Sequence, residues 1–72
     1  MTFQNRLIEL RNTRNLTQKQ IAESVGISVL GYQRYEYGVR EPAFHVLISL
    51  ADYFNVSIDY LVGRTDNPEI NR

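Results

Sequence analysis

The sequence predicts an all-α fold, a compact bundle of five short helices, on three observations. Apolar residues recur at spacings of three and four through most of the chain, and no segment alternates as a strand does. Hydroxyl residues stand just ahead of the apolar runs, where they can cap free N–H groups, and glycines stand just behind them. The chain is 72 residues long with no cysteine, so a small helical core must hold it without disulfides or thiolate-bound metal.

The first helix is expected from about Phe3 to Arg14, with Thr2 as its cap and Phe3, Leu7 and Leu10 on its inner face. Leu16 closes the turn behind it. The second runs from about Gln18 to Val25, capped by Thr17. Gln20 closes a capping box, and Ile21, Ala22 and Val25 point inward. Gly26 ends it in the left-handed conformation. Ser28 caps a third helix reaching Tyr37, with Tyr32 and Tyr35 on one face and Gly38 at its end. Arg40-Glu41-Pro42 is a connector, because the residue before proline avoids the helical region. The fourth helix spans about Ala43 to Phe54 and buries Leu47, Leu50, Ala51 and Phe54. Asn55-Val56 turns the chain, Ser57 caps a last short helix carrying Ile58 and Leu61, and Gly63 stops it. Residues 1–63 thus form the domain, and residues 64–72 read as a frayed polar tail.

Two short helices joined at Gly26 make a helix-turn-helix, a unit that sets its second helix in the major groove of DNA. The formal net charge is zero, which at first argues against a nucleic-acid partner. The charge is polarised, however. Arg6, Arg11, Arg14, Lys19, Arg34 and Arg40 outnumber Glu9, Glu23 and Glu36 in the first forty residues, and the balance reverses in the remainder. A basic half containing the paired helices suits phosphate binding on one face. No apolar run approaches the ~18 residues that span a bilayer, and the N-terminus lacks signal-peptide organisation, so a cytoplasmic location with no membrane partner is expected.

The run Leu16-Thr17-Gln18-Lys19-Gln20-Ile21-Ala22-Glu23-Ser24-Val25-Gly26-Ile27-Ser28 combines with Tyr35-Glu36-Tyr37-Gly38, Pro42, Leu50-Ala51 and residues Asn55 to Gly63. Together they resemble the phage-repressor-type helix-turn-helix family, also called Cro-like or the xenobiotic-response-element family. The resemblance covers about residues 3–63. It implies a five-helix domain of the lambda-repressor-like type, with the helix-turn-helix formed by helices 2 and 3. It also implies a transcriptional regulator, usually a homodimeric repressor on a two-fold operator in double-stranded DNA.

The resemblance implies a role for several side chains. Val29, Leu30, Gln33 and Arg34 fall where family members meet base edges. Glutamines often precede here in relatives, so the apolar pair is a departure: Val29 and Leu30 suit thymine methyl groups, and Arg34 suits guanine. Gln18 matches a glutamine that binds a backbone phosphate and braces the recognition helix. Lys19, Ser28, Tyr37 and Arg40 are further phosphate candidates, with Val39 and Arg6 at the margin. Arg11 and Glu36 match a family ion pair that ties helix 3 to helix 1, a structural role. A stable dimer is expected to use Ile58, Tyr60 and Val62, since the last helix carries more apolar residues than so small a domain needs inside.

Other classes fare worse. No nucleophile–base pair, metal-ligand cluster or phosphate loop is present, and there is little room for a ~300 Å³ pocket, so neither an enzyme nor a cofactor or metal site is expected. His45, the lone histidine, has no ligand-spaced partners. The tyrosines fit core positions better than single-strand stacking platforms. The competing reading is a protein-interaction module, an antitoxin or anti-repressor of the same fold, and it rests on the apolar Val29 and Leu30 and the neutral net charge.

Overall fold

The computed structural model describes residues 1–70, which form five helices: α1 (Phe3–Thr13), α2 (Gln18–Val25), α3 (Val29–Tyr37), α4 (Phe44–Phe54) and α5 (Ile58–Leu61). Each expected helix is present, within a residue or so of its expected bounds.

Local chemistry explains the boundaries. Thr2, Thr17, Ser28 and Ser57 each accept a hydrogen bond from the backbone N–H three residues on, so four of the five helices start on a hydroxyl cap. The box at Thr17 is closed on both sides: Gln20 N–H donates to the Thr17 hydroxyl at 3.0 Å, and Thr17 N–H donates to Gln20 Oε1 at 2.7 Å. α4 is the exception, beginning behind Ala43 with no side-chain cap. The endings repeat a single device. Asn15, Gly26, Gly38, Asn55 and Gly63 are the positive-φ residues, one behind each helix. The residue after each donates its N–H five positions back, Leu16 to Arg11, Ile27 to Ala22, Val39 to Arg34, Val56 to Ala51 and Arg64 to Asp59. This is the helix-ending geometry in which a left-handed residue lets orphaned carbonyls find donors.

The core draws on every helix. Leu7, Ile21, Ala22, Tyr32, Leu50, Phe54 and Leu61 are wholly buried. α3 packs on α1 and α2, α4 against α2, and α5 against α4 and α1, so α3 is held from behind by two elements. Within α4 the buried set is Val46, Leu50, Ala51 and Phe54, while Leu47 is half-buried and lines a shallow groove with Phe3, Pro42 and Val62. The expected inward face is therefore rotated slightly toward Val46. Val25 is likewise half-buried at the exposed end of α2.

Two further expectations change. Residues 64–70 are tied down, where fraying was expected: Ser57 N–H donates to the Pro68 carbonyl at 3.0 Å, and Ile70 lies beside Ile48, Val56 and Ile58. Asn71 and Arg72, the rest of the expected tail, lie outside the described residues. Arg6 is buried at 3% exposure and so is withdrawn from the phosphate candidates. Its guanidinium lies 3.7 Å from the Tyr60 ring centroid and donates to the Thr65 carbonyl at 3.2 Å and to Asp66 Oδ1 at 3.3 Å. A desolvated cation over an aromatic face is a favourable pairing, and here it fastens α1 to α5 and the tail.

Candidate nucleic-acid interface

Helical geometry sorts the side chains of α3. Tyr32, Tyr35 and Glu36 are buried and define the inner face. Leu30, Arg34 and Tyr37, spaced four and three apart, form the opposite row. Leu30 is 56% exposed, Tyr37 69%, and Arg34 is exposed between them. Val29 and Gln33 make a second row on the flank, both half-buried, with Val29 packed against the core. The outward row thus offers one apolar group, one guanidinium and one phenol. Among the described residues neither Arg34 nor Arg40 is in an ion pair, and both are exposed.

Behind that row stands a hydrogen-bonded chain of four side chains. Arg11 grips Glu36 with two donors in fork geometry, Nε to Oε2 at 2.7 Å and Nη2 to Oε1 at 2.9 Å, at the positions where the resemblance implied an ion pair. The Glu36 side chain is 2% exposed and that of Arg11 22%. Gln18 Nε2 donates to Glu36 Oε1 at 3.2 Å, and Gln33 Nε2 donates to Gln18 Oε1 at 3.0 Å. Burial works to raise the Glu36 carboxyl. The Arg11 guanidinium, the neighbouring Tyr32 hydroxyl and Gln18 outweigh it and hold the group below the ordinary carboxylate range. Glu36 in turn raises Arg11. Burial, with the Glu36 carboxylate next to it, pushes the Tyr32 phenol far above its usual value. The Tyr32 hydroxyl is buried near that carboxylate but makes no hydrogen bond of ordinary geometry among the described residues.

The remaining sequence candidates fall as follows. Lys19 is exposed in the first turn of α2, with Glu23 one turn on at 4.0 Å. The Ser28 hydroxyl is used as the cap of α3, accepting from Gly31 N–H at 3.0 Å, and keeps its own proton for a further acceptor. Gln18 is half-buried and its carbonyl oxygen is occupied by Gln33, which leaves one side-chain N–H and the free backbone N–H groups of the α2 terminus. Val39 is 72% exposed and Phe44 75%, beyond the end of α3. The three dimer candidates differ in their surroundings. Ile58 is 38% exposed beside the groove of about 360 Å³ that Ile48, Ala51, Val56 and Ile70 help to line. Tyr60 lies under Arg6, and Val62 lines the other groove beside Phe3 and Leu47. Sequence reading also missed the pairing of Gln18 with Gln33. Each was assigned to DNA separately, and no local signal links two amides fifteen positions apart.

The helix-turn-helix family model matches residues 7–61. A similar relative is an uncharacterized HTH-type transcriptional regulator, YobD of Bacillus subtilis. It is 41% identical over 64 residues, which cover 89% of this chain and 57% of that one. The cryptic phage CTXphi transcriptional repressor RstR of Vibrio cholerae is also 41% identical, with the same coverage of each chain. The chain therefore spans little more than half the length of these relatives. Among solved structures, a transcriptional regulator from Listeria innocua superposes with a TM-score of 0.82 at 37% identity, over 86% of this chain and 58% of that one. The P22 c2 repressor in complex with a synthetic operator superposes at 0.81 with 24% identity, over 86% and 94%, a likeness of fold. With its fold, its capped and glycine-turned α2–α3 pair and the family match over residues 7–61, the chain belongs to the Cro/C1-type helix-turn-helix family.

Proposed function

We propose that this chain is a sequence-specific double-stranded DNA-binding regulator, acting in the cytoplasm by occupying an operator and excluding polymerase. The observation that carries the reading is the outward row of α3. Leu30, Arg34 and Tyr37 stand clear of the core on a helix held from behind by α1 and α2, which is how a recognition helix must be presented to a groove. Leu30 meets thymine methyl groups, and Arg34 meets guanine. The flanking Val29 and Gln33 extend the footprint. Phosphates are met by the α2 terminus at Gln18, by Lys19 and Ser28, and beyond α3 by Tyr37 and Arg40. Relatives described as transcriptional regulators and a repressor support the same reading. No chemistry is required of the protein, and no cofactor enters the proposal.

One recognition helix reads too few base pairs for a genomic address, so the operator is two-fold and the protein binds it as a homodimer. Ile58, with the apolar groove beside it, is the surface for the second copy. The test is selection of bound sites from a random duplex pool, followed by titration at several salt concentrations. Enrichment of one palindrome, with affinity falling steeply as salt rises, supports the proposal. Weak binding to every duplex alike overturns it. Exposed Leu30, Val39 and Phe44 favour a second reading, a protein partner docked on these apolar side chains. That reading wins if a protein partner is retained with wild-type affinity when DNA is removed and the selected palindrome does not compete with it.

A further inference from the structure

Residues 64–70 form a strap that is fastened along its length. Arg6 Nη2 donates to the Thr65 carbonyl and to Asp66 Oδ1. Ser57 N–H, at the start of α5, donates to the Pro68 carbonyl at 3.0 Å. Ile70 then lies beside Ile48, Val56 and Ile58. The Asp66 side chain is fully exposed, so an ion pair to it has little worth of its own. Arg6 is the unusual member, 3% exposed and stacked on Tyr60. A desolvated guanidinium needs acceptors. The strap supplies two, and Glu9 a third at 3.5 Å. Arg6 therefore stays satisfied inside only while the strap stays down.

Ile58 and Ile70, 38% and 37% exposed, both border the groove of about 360 Å³. Ala51 and Val56 line it from the buried side. An exposed apolar side chain next to an apolar hole is self-complementary: about a two-fold axis, each copy's side chain meets the other's hole. Asp52 and Asp59 also line the groove and are exposed, with Arg64 3.9 Å from Asp59. Apolar groups at the centre and charges at the edge are the pattern of a protein–protein contact.

We infer that the strap is part of the dimer surface: Ile70 walls the hole that receives Ile58 of the second copy, and Arg6 locks that wall in place. At 3% exposure Arg6 cannot touch a second copy. It is a positioning residue, acting through Thr65 and Asp66 on where Ile70 stands. A loose strap has to be ordered at association, and that ordering weakens the dimer. A fastened strap is ordered beforehand. The inference rests on the homodimer of the proposed function and names what sets its strength.

The experiment makes two measurements on the full chain. Sedimentation gives the dimer dissociation constant. Hydrogen exchange of the Ser57 amide reports its bond to Pro68, and so the strap itself. Thermal melts establish that each variant is folded. Ile70→Ser is expected to weaken the dimer roughly tenfold, the scale of one partly exposed isoleucine lost from each copy. Arg6→Met keeps an apolar side chain over Tyr60 and removes the donors. It is expected to speed Ser57 exchange and to weaken the dimer by up to the same factor. The double variant Arg6→Met/Ile70→Ser should dimerise as Ile70→Ser does, because both changes act on one wall. If Arg6→Met does not fold, Asp66→Ala takes its place, with a smaller effect in the same direction on both measurements. Unchanged Ser57 exchange in the variant used, or factors that multiply in the double variant, overturns the lock. An unchanged dimer in Ile70→Ser overturns the wall, and a tighter one makes the strap a cover that competes with the second copy. A wild type that sediments as a monomer is a different failure, that of the homodimer itself, and it takes this inference with it.

Discussion

Glu36 is the residue on which most of the interface depends. It lies almost wholly inside, carries a charge, and takes hydrogen bonds from two other elements. Removing Arg11 alone, as in Arg11→Met, leaves that charge without its main partner and is expected to destabilise by about 3–5 kcal/mol. The double variant Arg11→Met/Glu36→Gln should lose less than the sum of the two singles, and urea melts of the cycle measure the difference. Acid provides a second check. The folded carboxyl lies below its unfolded value, so its stabilisation is complete above the ordinary carboxylate value of about 4.3 and is lost as pH falls through the depressed folded value. Wild-type stability should fall across that acid limb, and Glu36→Gln should flatten it. Arg34 and Arg40 are both exposed arginines, yet they differ in expected role. Arg34→Ala should cost roughly 1–3 kcal/mol on the selected site and relax preference at one pair. Arg40→Ala should weaken all duplexes alike and reduce the salt slope by about one. If Arg34→Ala weakens every sequence equally, Arg34 is a backbone contact.

The elements were the most legible part of the chain, because their signals are local. Hydroxyls before helices and left-handed residues after them lie within a few positions of what they control. Eight of the ten helix ends follow from Thr2, Thr17, Ser28, Ser57, Gly26, Gly38, Asn55 and Gly63 read in order. The misreadings share a different cause. Arg6 meets Thr65 and Asp66 across some sixty positions, and Gln33 meets Gln18 across fifteen. Nothing in periodicity reports such partners, and a surface-type residue near the N-terminus reads as solvated or DNA-facing by default. Leu47 against Val46 shows the finer limit: spacing of three and four admits either neighbour, and the packing of α4 on α2 decides. Glycines at the endings allow a test at this scale. Gly26 has open space where a Cβ would stand, so Gly26→Ala should cost only the left-handed strain, about 1–2 kcal/mol. At Gly63, φ +85°, the same methyl would run into the Met1 carbonyl. Gly63→Ala should therefore lose at least about 1 kcal/mol more in a chemical melt. Equal losses would mean that the N-terminal residue moves aside freely.

For the whole molecule the open matter is which face meets a second copy. Ile58, Tyr60 and Val62 were grouped in sequence because the last helix carries more apolar residues than so small a domain needs inside, and the structure gives each a different neighbourhood. Tyr60 is committed to Arg6, which leaves Ile58 with Ile48 and Ile70 as the apolar surface. Ile58→Asp is expected to shift sedimentation at micromolar concentration from dimer to monomer and to remove cooperativity on the two-fold site, with the fold intact. A wild type that already sediments as a monomer and fills half-sites independently would end the dimer proposal.

The crowding of Gly63 by Met1 has a consequence for how such a domain is carried. The first residue touches the residue that closes the last helix, so the path through the five helices returns to its starting point. Residues 64–70 leave from that same corner, so a fusion made there has to keep them: Thr65 and Asp66 hold the buried Arg6, and the Pro68 carbonyl accepts from Ser57 N–H.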